Sequence, residues 1–107
     1  MGENEALKYF KKKGYKLAEK NFKTRFGEID LVVTNREYVV FAEVKLRRND
    51  DFAAGAEFVD SRKQERVRTA AQEWLQRNKC DLQPRFDAVI IYDGEKGRSL
   101  EHIENAF

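Results

Sequence analysis

The sequence has almost none of the residues that build disulfide or zinc sites. Its 107 residues include one cysteine, Cys80, and one histidine, His102. A disulfide framework needs paired cysteines, and a structural zinc site needs four closely spaced Cys or His ligands. A Cys–His nucleophile would leave no further residue of either type to support it. Any metal ion would therefore have to be bound by oxygen ligands.

Long apolar runs are also absent. No stretch approaches the roughly 20 apolar residues that a membrane-spanning helix needs, and the N-terminus lacks the layout of a secretory signal. With 41% hydrophobic residues, 12% aromatic residues and a single proline, the composition favours a folded chain over a disordered one. We therefore expect one cytoplasmic domain, residues 1–107, with no membrane partner.

The net charge is small but unevenly distributed. Its value of +2, from 21 Lys and Arg against 19 Asp and Glu, does not by itself indicate a nucleic-acid partner. Lys and Arg clearly outnumber Glu in residues 1–27, however, whereas the chain from residue 85 onward leans acidic. The distribution therefore predicts a basic face.

The first half of the chain predicts a helix and three strands. Ala6, Leu7 and Phe10 recur at helical spacing before Gly14, which predicts a helix over residues 3–13. Val, Ile and aromatic residues predict strands over residues 15–22, 28–33 and 38–46. The polar residues 34–37 make the last two strands an antiparallel hairpin. Residues 47–58 show no steady period and are predicted to form a loop.

The second half predicts a long amphipathic helix. Five apolar residues follow its stripe: Val67, Ala70, Ala71, Trp74 and Leu75. Trp74 is expected in the core because it falls on this stripe. Asp60 or Ser61 is the candidate N-cap, and Gln64 is spaced to complete a capping box with Ser61.

A buried strand is predicted over residues 85–92, and a last short strand near residues 102–107 is an option. Asp87 on the buried strand is expected to be structural, with Arg85 or a nearby lysine as its partner. A strand–helix–strand crossover is right-handed, so this strand should run parallel to the one over residues 38–46. The predicted fold is α/β, with a mixed sheet and the order αβββαβ.

The hairpin places charged residues opposite one another. Side chains alternate along a strand, so Glu28 and Asp30 share one face, and Glu43 and Lys45 share one face of the partner strand. If the hairpin turns symmetrically between residues 36 and 37, opposed residue numbers sum to 73. Asp30 then faces Glu43, and Glu28 faces Lys45, with Cβ atoms about 4.5–5.5 Å apart. Two carboxylates at that distance destabilise each other unless they share a proton or a cation.

A divalent metal ion would resolve this conflict. Mg²⁺ prefers carboxylate, water and phosphate oxygens, so Asp30 and Glu43 are candidate ligands. Such an ion would polarise a phosphoryl oxygen, and the amine of Lys45 could hold or help deprotonate the attacking water. The competing interpretation is a surface hairpin with Glu–Lys cross-strand pairs, which is the usual meaning of an isolated E-x-K. The apolar run of residues 38–42 argues against it, because the charges follow a strand that is apolar on both faces.

Four segments resemble a known family. They are G-E-I-D-L-V (27–32), F-A-E-V-K-L-R (41–47), V-D-S-R-K-Q (59–64) and R-F-D-A-V (85–89). Together they resemble the YraN-type family of predicted endonucleases. That family belongs to the PD-(D/E)xK superfamily, which includes archaeal Holliday-junction resolvases and many restriction enzymes. The resemblance spans nearly the whole chain.

The resemblance implies a restriction-endonuclease-like core of three layers. It also implies Asp30 and Glu43 as metal ligands, the backbone carbonyl of Val44 as a third ligand, and Lys45 as the catalytic lysine. Glu3, on the first helix, would be an auxiliary metal-binding acid. The implied cofactor is Mg²⁺ or Mn²⁺.

Other polar residues have two interpretations each. Glu28 is either an acid that lies near the metal without binding it directly or the salt-bridge partner of Lys45. Gln64 is either a catalytic residue or only the capping-box residue. Lys63 and Gln64 lie in the first turn of the long helix, where free N–H groups attract a phosphate. Nucleic-acid contact and solvated surface are the two interpretations of the remaining basic residues, Arg47, Arg48, Arg62 and Arg66, and nucleic-acid contact is also a candidate role for Lys63.

Three hypotheses for function follow. The first is a metal-dependent endonuclease acting on DNA, with branched DNA as a candidate substrate by analogy of fold alone. The second is a nucleic-acid-binding module that has the nuclease fold but no independent activity. The third is a structural protein whose hairpin charges pair among themselves. Cutting both strands would need two copies related by a two-fold axis, so a homodimer is a candidate assembly.

Overall fold

A computed structural model describes residues 2–48 and 61–107 of the chain. Its elements are α1 (Glu3–Lys12), β1 (Lys16–Lys23), β2 (Glu28–Thr34), β3 (Tyr38–Arg48), α2 (Ser61–Arg77), β4 (Gln83–Gly94) and β5 (Gly97–Ile103). The predicted order αβββαβ is therefore confirmed, and a final strand follows it.

The five strands form one mixed sheet in the order β1-β2-β3-β4-β5. β3 and β4 are parallel, and all other neighbours are antiparallel. Parallel neighbours need a long crossover connection, and α2 lies in that connection. The predicted parallel relation between these two strands is confirmed.

One helix packs on each face of the sheet. Side chains alternate along β3, so Val40 and Ala42 pack in the cluster with Phe10 of α1, whereas Val39 and Phe41 pack in the cluster with α2. Both clusters are closed to solvent along the middle strands. The described residues thus form three layers, helix, sheet and helix, and the predicted α/β fold is confirmed.

The predicted stripe of α2 faces the sheet. Val67, Ala70, Ala71 and Trp74 are buried, and Leu75 is partly buried beside them. The predicted core position of Trp74 is therefore confirmed. Ser61 is the first helical residue, and the other candidate N-cap, Asp60, lies outside the described residues. Neither helix in the described ranges has the length and apolar content that crossing a bilayer requires.

The predicted end of β3 is wrong. The strand continues through Arg47 to Arg48, because its residues pair with β4 without interruption from Tyr38 with Gln83 to Arg48 with Asp93. Parallel pairing extends the strand beyond the point where its apolar pattern ends. Arg47 and Arg48 are therefore strand residues, and the rest of the predicted loop, residues 49–58, lies outside the described residues.

The last strand begins five residues earlier than the predicted option. A two-residue turn, Glu95 and Lys96, connects β4 to β5, and Gly94 pairs with Gly97 across it. Gly97 has a φ of 115°, a conformation that costs a glycine little. β5 lies at the edge of the sheet, and its only apolar side chains are Leu100 and Ile103. The alternation of apolar and polar residues that predicts a strand is therefore weak in this segment.

A buried charged network connects β4 to β5 and to the start of β1. The Nη2 atom of Arg85 donates to Asp87 Oδ2 at 2.8 Å and to the Tyr15 hydroxyl at 2.8 Å. Asp87 Oδ2 also lies 2.6 Å from His102 Nε2. Burial alone would raise the pKa of the Asp87 carboxyl, but hydrogen bonds from His102 and Arg85 hold the pKa below its ordinary value. The expected pairing of Asp87 with Arg85 is confirmed.

Replacing Asp87 should destabilise the protein strongly. Asp87→Ala leaves the Arg85 guanidinium buried without its carboxylate, and breaking a buried pair in this way costs roughly 3–5 kcal/mol. Urea unfolding of the variant and of the wild type measures the loss. The control is Glu73→Ala, which removes the partner of the exposed Arg77 and should cost under about 1 kcal/mol. Equal losses in the two variants would contradict the network's role.

Candidate active site

The β2–β3 hairpin has the predicted register and then opens. Its four paired positions all sum to 73: Leu31 with Ala42, Val32 with Phe41, Val33 with Val40 and Thr34 with Val39. The pairing ends at Leu31 and Ala42. Beyond it, the Val44 N–H donates to Asp30 Oδ2 at 2.8 Å. Beyond the end of the ladder, a side-chain oxygen of β2 thus accepts a hydrogen bond from a backbone N–H of β3.

β2 also breaks its alternation at Asp30. Ile29 and Leu31 are both fully buried, but Ile29 packs in the cluster with α2 and Leu31 packs in the cluster with α1. Strict alternation would place both side chains on one face of the sheet. The break coincides with the end of the ladder, and it explains how the Asp30 side chain reaches the backbone of Val44.

Glu43 is a carboxylate at the end of a buried apolar run. Its side chain is 2% exposed, and Oε2 lies 3.1 Å from Lys63 Nζ. Oε1 is buried and has no hydrogen-bond partner among the described residues. An unsatisfied buried polar group costs about 1–3 kcal/mol, and more when it is charged. This oxygen is therefore a position where a cation or a hydrogen-bond donor would be stabilising.

Burial and neighbouring negative charge disfavour the ionised forms of both Asp30 and Glu43. Burial raises the pKa of the Glu43 carboxyl to about 7; the negative charge of Asp30 adds to this rise, and Lys63 opposes it. Burial also raises the pKa of Asp30, against the hydrogen bond from Val44, and the charge of Glu3 contributes to the rise. The conflict predicted for the two carboxylates is thus present in the structure.

Two lysines lie in contact beside Glu43. A hydrogen bond with Lys63 lowers the pKa of the Lys45 amine, and partial burial lowers it further. Burial alone would lower the pKa of Lys63, but the hydrogen bond with Lys45 and the charge of Glu43 raise it. The hydrogen bond between the two amines thus shifts their pKa values in opposite directions, down for Lys45 and up for Lys63. A neutral amine can accept a proton, whereas an ammonium only donates.

A groove of about 350 Å³ holds Asp30, Glu43 and Lys63, whereas Lys45 is not among the described residues that line it. The structure lines it with Gly27, Glu28, Asp30, Glu43, Arg62, Lys63, Arg66 and Val67. Three carboxylates from the sheet thus share one concave surface with three cations from the start of α2. Carboxylates suit a hard divalent ion, and Arg and Lys suit phosphate oxygens.

The predicted pairing of Glu28 with Lys45 is wrong. The ladder that would have placed them opposite each other ends at Leu31, and the carboxylate of Glu28 instead lies 3.7 Å from Lys23 Nζ. Glu28 still lines the groove, and its charge contributes to raising the pKa of Asp30. Its support of a metal site stays a prediction.

Glu3 is near the site without completing it. It begins α1, and its charge reaches Asp30. In the described ranges, however, no group of three or more Asp, Glu, His or Cys side chains is placed to hold a metal ion. The structure therefore brings Asp30 and Glu43 together but does not add Glu3 as a third carboxylate.

The remaining predicted residues lie on two elements. Gln64 follows Lys63 in the first turn of α2, and Arg47 and Arg48 end β3. Arg62, Lys63 and Arg66 share the groove with the carboxylates, whereas Arg47 is close enough to Lys45 to lower its pKa. A catalytic role for Gln64 and nucleic-acid contact by the basic residues stay predictions.

The sequence did not predict a functional role for the turn between β1 and β2. A second groove, of about 450 Å³, is lined by Arg25 and Phe26 of this turn and shares Arg62 and Arg66 with the first groove. Phe26 is 46% exposed. The available signal was an aromatic residue inside the polar turn T-R-F-G, outside any strand pattern.

The raised pKa of Glu43 predicts a pH-dependent stability in metal-free buffer. Between pH 4.5, its ordinary pKa, and about 7, the folded state binds more protons than the unfolded state, so the free energy of unfolding falls as pH rises. The loss is at most roughly 3.5 kcal/mol, because a tenfold change in proton affinity corresponds to about 1.4 kcal/mol. Glu43→Gln should remove this contribution and be more stable than the wild type at pH 8.

Denaturant unfolding in EDTA at pH 5, 6, 7 and 8 measures this dependence. Glu73→Gln is the matched control, since it removes one carboxyl of α2 that pairs with Arg77 outside the groove. A wild type and a Glu43→Gln variant with the same pH slope would show that Glu43 is not the titrating group.

The chain matches a family model and several related proteins over most of its length. Residues 2–91 match the model of "Uncharacterised protein family UPF0102". A UPF0102 protein of Caldanaerobacter subterraneus is 42% identical, over 100% of this chain and 91% of its own length. A UPF0102 protein of Alkaliphilus oremlandii is 37% identical, over 100% of this chain and 94% of its own. One of Vibrio parahaemolyticus is 40% identical, over 94% and 84%.

The residues that match the family model, 2–91, include all four quoted segments. The predicted family is therefore confirmed, and the chain belongs to the UPF0102 family, the YraN-type family that its motifs resemble.

Proposed function

We propose that this protein is a metal-dependent endonuclease that hydrolyses DNA phosphodiester bonds. The observation that carries the proposal is the pair of the buried Glu43 and the half-buried Asp30, in which Glu43 Oε1 has no hydrogen-bond partner among the described residues. The negative charge of Asp30 raises the pKa of the Glu43 carboxyl beyond the effect of burial. A bound cation would remove both the repulsion and the unsatisfied oxygen.

Mg²⁺ or Mn²⁺ is the cofactor that these residues fit. Asp30 and Glu43 would hold it, since Mg²⁺ typically takes one or two protein carboxylates and completes its shell with water and phosphate oxygens. When bound, the ion would polarise the phosphoryl oxygen and lower the pKa of a bound water. The Val44 carbonyl and Glu3 are proposed as further ligands on the family resemblance alone.

Lys45 would handle the proton of the attacking water. The hydrogen bond with Lys63 and partial burial lower the pKa of its amine, and in the neutral form Nζ could accept a proton. Lys63, held as an ammonium by Glu43 and by its hydrogen bond with Lys45, keeps the second positive charge beside it. Lys63 would thus supply a positive charge, and Lys45 would supply the base.

Arg62, Lys63 and Arg66 support a nucleic-acid substrate. They line the groove that holds the carboxylates, and cations placed along a groove bind a phosphate backbone without reading its sequence. Since one such site cuts one strand, a homodimer is the proposed assembly for cutting two strands or a branched DNA.

A second candidate is a nucleic-acid-binding module without catalytic activity. The observation that favours it is the ion pair between Lys63 Nζ and Glu43 Oε2, at 3.1 Å. This ammonium gives Glu43 a cation from the chain itself. A protein in which the pair persists would bind a phosphate backbone through Arg62 and Arg66 and would not cut it.

Metal binding should require both carboxylates. Asp30→Asn keeps an oxygen that can accept the Val44 N–H and removes only the charge, so it should fold. Calorimetric titration of Mn²⁺ should show binding to the wild type and at least about tenfold weaker binding to Asp30→Asn and Glu43→Gln. The control is Asp93→Asn, which alters a carboxylate on β4 that pairs with Arg98 of β5. This variant should bind Mn²⁺ as the wild type does.

The titration also separates the candidates. Absence of Mn²⁺ binding to the wild type, with or without DNA, would sink the nuclease proposal. DNA binding that persists under those conditions would establish the second candidate instead.

Cleavage should depend on the amine of Lys45. Lys45→Met should lower the cleavage rate of linear, flapped and four-way DNA by about 100-fold or more, because proton transfer contributes about 10²–10⁴ in rate. Mn²⁺ affinity should change only a few-fold. Lys96→Met, in the turn between β4 and β5, is the control for loss of one lysine. Full activity in Lys45→Met would remove this residue from the chemistry.

A further inference from the structure

An aromatic side chain is exposed at the rim of the candidate active site. Phe26 is 46% exposed, and among the described residues the only other exposed large hydrophobic side chain is Leu17, at 41%. Phe26 follows Arg25 in the turn that connects β1 to β2, immediately before Gly27. A single exposed apolar side chain does not by itself indicate a ligand, so the inference depends on the residues that surround the ring.

The turn holds Phe26 in a fixed place. The hydroxyl of Thr24 accepts hydrogen bonds from the Phe26 N–H at 3.0 Å and from the Gly27 N–H at 3.2 Å. Thr24 N–H also donates to the Gly27 carbonyl at 2.8 Å. Gly27 lies directly against α2, since a Cβ there would stand 3.0 Å from the Cβ of Arg66. The turn is thus tied both to itself and to the helix that carries the basic residues.

The ring lies in a positively charged groove that adjoins the carboxylates. The groove is lined by Arg25, Phe26, Arg62, Glu65, Arg66 and Thr69, and Arg62 and Arg66 also line the groove of Asp30 and Glu43. Three arginines face one glutamate in it. The guanidinium of Arg25 lies 5.4 Å from the centre of the Phe26 ring. An aromatic face and phosphate-binding cations therefore continue outward from the candidate catalytic groove.

We propose that Phe26 is a base-stacking residue, and that the substrate strand carries an unpaired nucleobase beside the phosphate at the carboxylates. Aromatic rings next to a basic groove bind single strands, because every base has a face that can stack on them. In an uninterrupted duplex the base faces are covered by their neighbours, and the outer surface is sugar and phosphate. The inference rests on the proposed nuclease function and narrows its substrate to single-stranded, frayed or branched DNA.

The test compares strands that differ only in their bases. A fluorescein-labelled 12-nucleotide single strand and a fully abasic strand of the same length and charge are titrated by anisotropy, in EDTA so that no metal-dependent cleavage occurs. The wild type should prefer the strand with bases by about 5- to 150-fold, which is the range for stacking of one base. Phe26→Ala should bind both strands about equally.

Three variants identify the physical cause. Phe26→Leu keeps apolar bulk without an aromatic face and should behave as Phe26→Ala does. Phe26→Trp should retain the preference, and its fluorescence should be quenched by the strand with bases, against the constant signal of the buried Trp74. Leu17→Ala removes the other exposed apolar side chain, on β1, and should match the wild type. An unchanged base preference in Phe26→Ala overturns the proposal.

A cleavage arm in Mn²⁺ separates this inference from the nuclease proposal. Cleavage of flapped DNA that is equally fast in the wild type and Phe26→Ala leaves the nuclease standing and overturns the stacking role. A base preference that depends on Phe26, without cleavage by the wild type, supports the stacking role and overturns the nuclease. If the wild type binds neither strand, both the stacking proposal and the nuclease proposal are overturned. If Phe26→Ala changes only the oligomeric state in size-exclusion chromatography, the ring is a protein interface and the proposal fails.

Discussion

The burial of the Glu43 carboxylate is the constraint around which the candidate site is arranged. Strand β3 is apolar on both faces before this residue, so the charge lies where water cannot stabilise it. Lys63 compensates one oxygen at 3.1 Å, and the other has no partner among the described residues. The compensation has its own consequence, since the hydrogen bond with Lys63 and the charge of Lys63 lower the pKa of the neighbouring Lys45. One buried carboxylate thus influences the pKa values of two lysines.

The opening of the hairpin makes this arrangement possible. If β2 and β3 had stayed paired past Leu31 and Ala42, the Val44 N–H would have been available to the backbone of β2. Because the ladder ends, that N–H is satisfied by the side chain of Asp30 at 2.8 Å. The exchange costs no hydrogen bond, and it brings a second carboxylate beside Glu43. The side-chain hydrogen bond of Asp30 and a continuous ladder therefore exclude each other at these residues.

The sequence predicted what depends on local periodicity and symmetry. The register follows from a symmetric hairpin, and the α2 stripe from Val67 to Trp74 follows from helical spacing; both are confirmed. It did not predict the contact between Lys63 and Glu43, because that contact depends on how α2 lies across the sheet. It missed most of β5, whose edge position leaves few apolar residues to mark it. The exposure of Phe26 was likewise not predicted, because the surroundings of a turn residue depend on distant parts of the chain.

Two buried acids on this one sheet show why burial alone does not identify a functional carboxylate. Asp87 is fully buried, yet Arg85, His102 and the Asn105 N–H satisfy its oxygens, and its pKa falls below the ordinary value. Glu43 is almost as buried, but one oxygen is unsatisfied and its pKa rises to about 7. The first environment is complete, so a further ligand would gain nothing there. The second is incomplete, because Lys63 compensates only Oε2 and a cation or a hydrogen-bond donor at Oε1 would be stabilising.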